Sequence, residues 1–241
     1  MIRVDGLEKR FGEVRAVQHV SFSAADGEIT GLLGPNGAGK STTLRILATV
    51  LKPDAGNAQI DGIDVVRYPV EVRHRMGVLP HGAGLYPHLT GRENIRYFGR
   101  LAGLAGDALE ARLGELTELL DLGDFQDRPA KGYSQGQRTR IALGRAMVHE
   151  PANLILDEPS SGLDVMATRS LRQLLADLKA RGICILFSTH VMQEVAAVCD
   201  RIVVIAHGRV VARGTPDEIR HATGVADLEE AFVRAIGESP E

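Results

Sequence analysis

The sequence has few cysteines, no long apolar run and no large excess of charge of either sign. Its two cysteines, Cys184 and Cys199, lie in an apolar segment and near the end of a helical pattern, so we expect buried, reduced thiols as in a cytosolic protein. No apolar stretch approaches the roughly 20 residues of a membrane-spanning helix. The charged start MIRVDGLEKRFG argues against a signal peptide. A net charge of −3 argues against a nucleic-acid partner, although a local basic patch is compatible with that total.

The first third of the chain has the pattern of strands joined by tight turns. Asp-Gly pairs separate apolar segments there, and such pairs suit hairpin turns because glycine adopts positive φ at low cost. The predicted hairpins join residues 17–23 to 28–33 across Asp26-Gly27, and 58–60 to 63–65 across Asp61-Gly62. We therefore expect an N-terminal antiparallel β subdomain.

The rest of the chain predicts a helical insert followed by an α/β region. Between residues 90 and 127, leucines recur at helical intervals, and Gly103 and Gly106 divide the segment into at least two helices. From Asn153 onward, short apolar strands alternate with helices, which is typical of a parallel sheet covered on both faces. The predicted fold is α/β: one domain over residues 1–241 with a mainly parallel sheet and a helical subdomain inserted at about 90–148.

The segment from Gly34 to Ser41 fits the pattern of a phosphate-binding loop, and it follows an apolar strand and opens a helix. Glycines let backbone N–H groups surround a phosphate, and the helix N-terminus adds partial positive charge. Lys40 would bridge the β- and γ-phosphates of ATP, while the Ser41 hydroxyl would ligate Mg²⁺. The alternative is a glycine-rich turn with an incidental lysine. The motif makes the fold that of a P-loop NTPase, with nucleotide-binding residues Gly34, Pro35, Asn36, Gly37, Ala38, Gly39, Lys40, Ser41 and Thr42.

A second motif, NLILDE at residues 153–158, is acidic and places two carboxylates at the end of an apolar strand. Open α/β sheets bind ligands at the carboxyl ends of their strands. Asp157 would then hold Mg²⁺ through water, and Glu158 would orient and deprotonate the attacking water. Taken alone, the segment is also compatible with a strand that ends in two solvated acids, which is a common arrangement; the upstream phosphate loop favours the catalytic interpretation.

With these two motifs and the segment YSQGQ at 133–137, the chain resembles the ABC ATPase family over essentially its whole length. In that family the signature segment caps the γ-phosphate of a nucleotide held by the opposite subunit. The resemblance assigns this role to Ser134, Gly136 and Gln137, which precede a helix predicted at 138–148. An anion at a helix N-terminus is physically favourable. Read alone, SQGQ is no more than a plausible helix cap.

Three further pieces match the family. Residues 161–164, which end at Asp164, resemble the D-loop that communicates between two active sites. His190 follows an apolar strand and resembles the switch histidine that contacts the γ-phosphate. Phe11 matches the aromatic residue on which the family stacks adenine. The resemblance therefore implies Glu158, His190 and Lys40 as catalytic residues, Ser41 and Asp157 as metal ligands, and ATP and Mg²⁺ as cofactors.

Two positions depart from the family pattern. Many members have a glutamine after an apolar strand, reaching Mg²⁺ and the membrane partner, whereas here residues 78–80 are followed by His81. Because Mg²⁺ prefers oxygen donors, we expect His81 to act through water or in coupling without touching the metal. The second departure is Gln135, where glycine is commoner.

Stretches at 85–101, 162–169 and 191–201 resemble a narrower branch, the ATPase subunits of sodium-export (NatA-type) systems. The resemblance implies an ATPase at the cytoplasmic face of the membrane that powers export through a separate integral membrane permease. The exported cargo would be sodium ions or, as alternatives, drugs, lipids or peptides. The working form of the ATPase would be a homodimer that sandwiches ATP, or a hetero-pair with another ATPase subunit, with no nucleic-acid partner. The alternatives are a soluble ABC mechanoenzyme acting on ribosomes or DNA, and a P-loop kinase or GTPase.

Overall fold

The computed structural model of the chain describes residues 1–82 and 84–237. Its strands are β1 Ile2–Phe11, β2 Val14–Ala24, β3 Ile29–Leu33, β4 Ala55–Ile60, β5 Ile63–Asp64, β6 Met76–Leu79, β7 Asn153–Asp157, β8 Cys184–Thr189, β9 Arg201–Ala206 and β10 Arg209–Gly214. Its helices are α1 Lys40–Leu47, α2 Pro69–Arg75, α3 Gly91–Leu101, α4 Gly106–Leu119, α5 Gln135–Met147, α6 Val165–Ala180, α7 Met192–Val198, α8 Pro216–Thr223 and α9 Leu228–Gly237.

The larger sheet that these residues form has six strands in the order β10-β9-β3-β8-β7-β6. All neighbours pair in parallel except β10, which closes one edge as an antiparallel hairpin with β9. Every residue of β3, β7 and β8 is buried, as expected for central parallel strands covered on both faces. The carboxyl ends of β3, β8, β7 and β6 therefore meet at one edge of the sheet.

The second sheet has the order β2-β1-β4-β5 among the described residues and is antiparallel throughout. It confirms the predicted antiparallel subdomain and the hairpin across Asp61-Gly62. Both Asp61 and Gly62 have positive φ, as this turn requires. The hairpin predicted across Asp26-Gly27 was wrong, because β2 pairs with β1 while β3 lies inside the other sheet. The reason is burial: β3 is apolar on both faces and gains more from a central position than from pairing with the half-exposed β2.

Between β6 and β7, the chain forms the helical layer of α3, α4 and α5. Thr90 and Ser134 begin α3 and α5 with capping boxes, in which side chain and backbone exchange hydrogen bonds across the first turn. Buried residues Leu109, Leu113 and Ile141 pack this layer into the same core as the central strands. At the other end of the chain, α9 buries Leu228 and Ala231 beside β9.

The two cysteines are free. Cys184 is buried as expected, whereas Cys199 is only half-buried. Across residues 1–82 and 84–237, none of the helices has the length and apolar content needed to cross a bilayer.

Candidate nucleotide site

The phosphate loop folds as it does because two of its glycines lie against neighbouring backbone. A Cβ on Gly34 would come within 2.1 Å of the Ile205 carbonyl oxygen, so only glycine fits there. Gly39 has a φ of +107°, and a Cβ on it would lie 2.4 Å from the Ala16 carbonyl oxygen. The loop is thus clamped between β2 and the end of β9 before α1 begins. Pro35, Asn36 and Gly37 are exposed at its tip, Ala38 is buried, and Ser41 and Thr42 are half-buried in the first turn of α1.

Lys40 is folded back onto its own loop. Its ammonium donates to the carbonyl oxygens of Gly34 at 2.6 Å and Pro35 at 3.0 Å, and only 5% of the residue is exposed. Burial lowers the pKa of Lys40, although the nearby carboxylates of Glu158 and Asp157 act in the opposite direction. A buried cation without a directly bonded anion is well placed to receive a phosphate.

Asp157 joins the second acidic motif to the phosphate loop. Its Oδ1 accepts a hydrogen bond from Ser188 Oγ at 2.6 Å and another from Ser41 Oγ at 3.3 Å. The Asp157 side chain is buried at the carboxyl end of β7, and the hydroxyl groups come from β8 and α1. A carboxylate beside a hydroxyl is an all-oxygen donor set, so Ser41 and Asp157 fit the chemistry that Mg²⁺ requires.

Glu158, the next residue, lies between two histidines. Its Oε1 is 3.1 Å from His190 Nδ1 and its Oε2 is 3.7 Å from His81 Nδ1. The Glu158 backbone N–H donates to both the carbonyl and the hydroxyl oxygen of Ser188, which holds the residue at a φ of +50°. The structure therefore brings together Lys40, Ser41, Asp157, Glu158, His190 and His81 from four parallel strand ends.

The signature residues form a separate group. Ser134 is the N-cap of α5 and is exposed, and its hydroxyl accepts the backbone N–H of Gln137 at 3.3 Å. Asp164 caps α6 in the same way, accepting from the backbone of Ala167 at 2.8 Å. A Cβ on Gly136 would lie 3.2 Å from the Ala167 side chain, so the two helix N-termini are side by side. Ser134, Gly136, Gln137 and Asp164 share an open cavity of about 310 Å³. The two helix N-termini favour an anion there, whereas the Asp121 and Asp124 carboxylates that also line the cavity oppose one.

Phe11 is the last residue of β1. Its ring is about half exposed, and the Lys9 ammonium lies 5.6 Å from the ring centroid. An exposed aromatic face beside a cation is suited to stacking with a base.

Two residues contribute to the site in ways that the sequence did not predict. Ser188 is hydrogen-bonded to the Asp157 carboxylate and to the backbone N–H of Glu158. In the sequence, the sign of this role is a hydroxyl residue at the end of an otherwise apolar strand. Gln135 lines a cavity of about 530 Å³ together with His81, Glu158 and Ser161. The sequence marks Gln135 only as part of the signature segment, because the approach of this segment to the strand ends is a tertiary feature.

Comparison with known proteins agrees with this geometry. A family model described as ABC transporter matches residues 17–161. The ATP-binding protein NatA of Bacillus subtilis is 39% identical, covering 98% of both chains, and the daunorubicin resistance ATP-binding protein DrrA3 of Streptomyces coeruleorubidus is 40% identical over 98% of this chain and 75% of its own. A solved ATP-binding subunit of an ABC transporter superimposes with a TM-score of 0.88 at 32% identity, covering 98% and 99% of the two chains. A dimeric, post-hydrolysis ATP-binding cassette bound to ADP and Pi gives 0.80 at 26% identity, covering 89% and 98%.

Proposed function

Because the chain belongs to the ABC transporter family, as an ATP-binding and ATP-hydrolysing subunit, we propose that it powers export through a separate integral membrane permease. The proposal rests mainly on one observation: the phosphate loop, the Asp157 carboxylate beside Ser41, and Glu158 with its neighbouring histidines all lie at one edge of the sheet. The DrrA3 relative, which is named for daunorubicin resistance, supports export as the direction of transport to test.

In this proposal ATP binds with its adenine on Phe11 and its phosphates on the backbone of residues 34–39. The Lys40 ammonium would leave the carbonyl oxygens of Gly34 and Pro35 and bind the β- and γ-phosphates instead. The buried positive charge would then be paired with a negatively charged group. Ser41 would hold Mg²⁺ directly and Asp157 through water, and the bound ion would neutralise phosphate charge.

Hydrolysis then requires a positioned water. Glu158 would orient that water and accept its proton, and His190 would contact the γ-phosphate from the adjacent strand. The remaining catalysis is positioning and charge neutralisation at the γ-phosphate. Glu158 is suited to this role because its backbone is held by two bonds to Ser188 while its carboxylate stays partly accessible.

Two copies, or a hetero-pair with another ATPase subunit, would complete the site. Ser134, Gly136, Gln137 and Asp164 lie in an open cavity, so the signature would cap a nucleotide held by the opposite subunit. The dimeric arrangement of a solved relative supports this pairing. The His81 region and the helices α3 to α5 would transmit the closing and opening of the two subunits to the permease. The chain would then lie at the cytoplasmic face of the membrane.

Sodium is the cargo to test first, because the sequence resembles the sodium-export branch, and drugs are the second candidate because of the drug-resistance relatives. The chain would be co-expressed with the membrane protein that co-purifies with it, and ATP-driven sodium uptake measured in inside-out vesicles, with Glu158→Gln as control. Uptake that disappears in the control supports a sodium exporter. Active hydrolysis in a stable complex without uptake refutes sodium, and ATP-driven daunorubicin uptake then tests the second cargo.

A further inference from the structure

Three neighbouring strands carry His81, Glu158 and His190 to the same edge of the sheet. β6, β7 and β8 are adjacent and parallel, with Leu79 paired to Leu156 and Asp157 paired to Ser188. Continued past the strand ends, the β6–β7 register brings His81 level with Glu158. The alignment follows from sheet topology, since the three residues come from widely separated parts of the chain.

The two imidazoles approach opposite oxygens of the Glu158 carboxylate. His190 Nδ1 lies 3.1 Å from Oε1 and His81 Nδ1 lies 3.7 Å from Oε2. The Glu158 side chain is 17% exposed, whereas about half of each histidine side chain is exposed. The carboxylate is therefore the inner member of the group, with one ring on each flank.

We propose that His81 is a positioning residue for Glu158, acting from the side opposite His190. The inference rests on the proposed role of Glu158 as the base. When His190 turns towards the γ-phosphate, Oε1 loses its partner, and a carboxylate rotates easily about its last torsion. His81 Nδ1 lies 3.7 Å from Oε2, beyond hydrogen-bond distance. In this proposal the separation would shorten as the site closes around ATP, and an Nδ1–H donor from His81 would then hold Oε2 in place.

This role differs from that of a glutamine that reaches the metal. An imidazole nitrogen is a poor ligand for Mg²⁺, which prefers oxygen, and the structure directs the His81 nitrogen to the carboxylate instead. A glutamine placed here would retain an N–H donor within reach of Glu158. The interaction thus explains how a histidine is accommodated at this position without a bond to the metal.

Steady-state ATP hydrolysis by the full chain tests the proposal with His81→Ala, His81→Gln and the matched control His88→Ala, an exposed histidine farther along the same loop. We expect His81→Ala to lower kcat by about tenfold or more with KM for ATP changed less than about twofold, because the base is misplaced while binding is intact. His81→Gln should stay within about twofold of the parent. An Ala variant equal to His88→Ala, or a change in KM alone, overturns the proposal.

A second readout does not depend on activity. With a non-hydrolysable ATP analogue and Mg²⁺ bound, long-range proton–nitrogen correlation spectra of labelled histidines, with His81 assigned through His81→Gln, should show the Nδ1–H tautomer in the parent and its loss in Glu158→Ala. An unchanged His81 tautomer in Glu158→Ala overturns the contact. If the parent hydrolyses no ATP but the tautomer shifts, the proposed base role of Glu158 fails while the His81–Glu158 contact stands.

Discussion

Ser188 on β8 donates a 2.6 Å hydrogen bond from Oγ to Oδ1 of Asp157 on β7. The same hydroxyl oxygen accepts the backbone N–H of Glu158 at 3.1 Å. One buried hydroxyl therefore orients the carboxylate that faces Ser41 and also holds the backbone of the residue beside it. The two acidic residues of the site are organised by a side chain from a neighbouring strand.

Replacing Ser188 with alanine should both destabilise the protein and slow hydrolysis. The change leaves the buried Asp157 carboxylate with one hydrogen bond fewer, and such losses cost about 1–3 kcal/mol of the free energy of unfolding. Denaturant unfolding and Mg²⁺-dependent ATPase rates would measure the two effects. Ser170→Ala, on the exposed face of α6, is the control and should change stability by less than about 0.5 kcal/mol. Equal stability for both variants contradicts the role of Ser188.

Lys40→Ala should weaken ATP binding and reduce turnover by about a hundredfold or more, because it removes the cation expected at the β- and γ-phosphates. Isothermal titration with ATP and steady-state hydrolysis would measure the two losses separately. Lys52→Ala provides the comparison, since Lys52 is exposed beyond α1. Unchanged affinity for ATP in the Lys40 variant would remove this residue from the phosphate site.

Glu158→Gln should bind ATP with near-parental affinity but lose hydrolysis by about 10²- to 10⁴-fold, the range supplied by a general base. Because the nucleotide persists, we expect an ATP-dependent dimer, measurable by light scattering coupled to gel filtration. Glu71→Gln, an exposed glutamate on α2, should behave like the parent. Normal turnover in Glu158→Gln would refute the base assignment, and a strictly monomeric variant would refute the ATP sandwich.

Tyr133→Phe should destabilise the segment that leads into α5. The buried Tyr133 hydroxyl accepts from the backbone N–H of Gly91 at 2.9 Å, and its one proton is shared between the carbonyl oxygens of Phe125 at 2.7 Å and Arg128 at 2.9 Å. Its loss leaves buried backbone groups unpaired, at a cost of about 1–3 kcal/mol in thermal or denaturant unfolding. Tyr68→Phe, at an exposed ring, should be neutral. A neutral Tyr133→Phe would show that water replaces the hydroxyl.

The cysteines should resist alkylation in the native protein. Burial raises the pKa of Cys184 to about 11 and raises that of Cys199 as well. At about pH 8 both thiols are therefore protonated, and the thiolate is the reactive form. Mass spectrometry after iodoacetamide should find no native modification and two modified cysteines in denaturant. Rapid native labelling of Cys199 would instead indicate local opening around α7.

Local pattern predicted some elements well and others wrongly, and the two Asp-Gly pairs show why. Asp61-Gly62 joins β4 to β5 as expected, because both strands belong to the same antiparallel sheet. Asp26-Gly27 has the same turn chemistry but connects strands of different sheets. The pairing of β1 with β2 escaped prediction because no Asp-Gly or Asn-Gly pair marks the turn between them. Turn propensity specifies where the chain bends, and burial decides which strands then pair.

The sequence by itself determined the chemical groups of the site and their local settings. The phosphate loop, the carboxylates after an apolar strand and the histidine after another are each encoded within a few residues, by spacing and by the boundary between apolar and polar segments. Only the tertiary structure decided that Ser188 bonds to Asp157 and that His81 faces Glu158. Those contacts depend on the order of β6, β7 and β8 in the sheet, and strand order arises from packing of distant segments rather than from local periodicity.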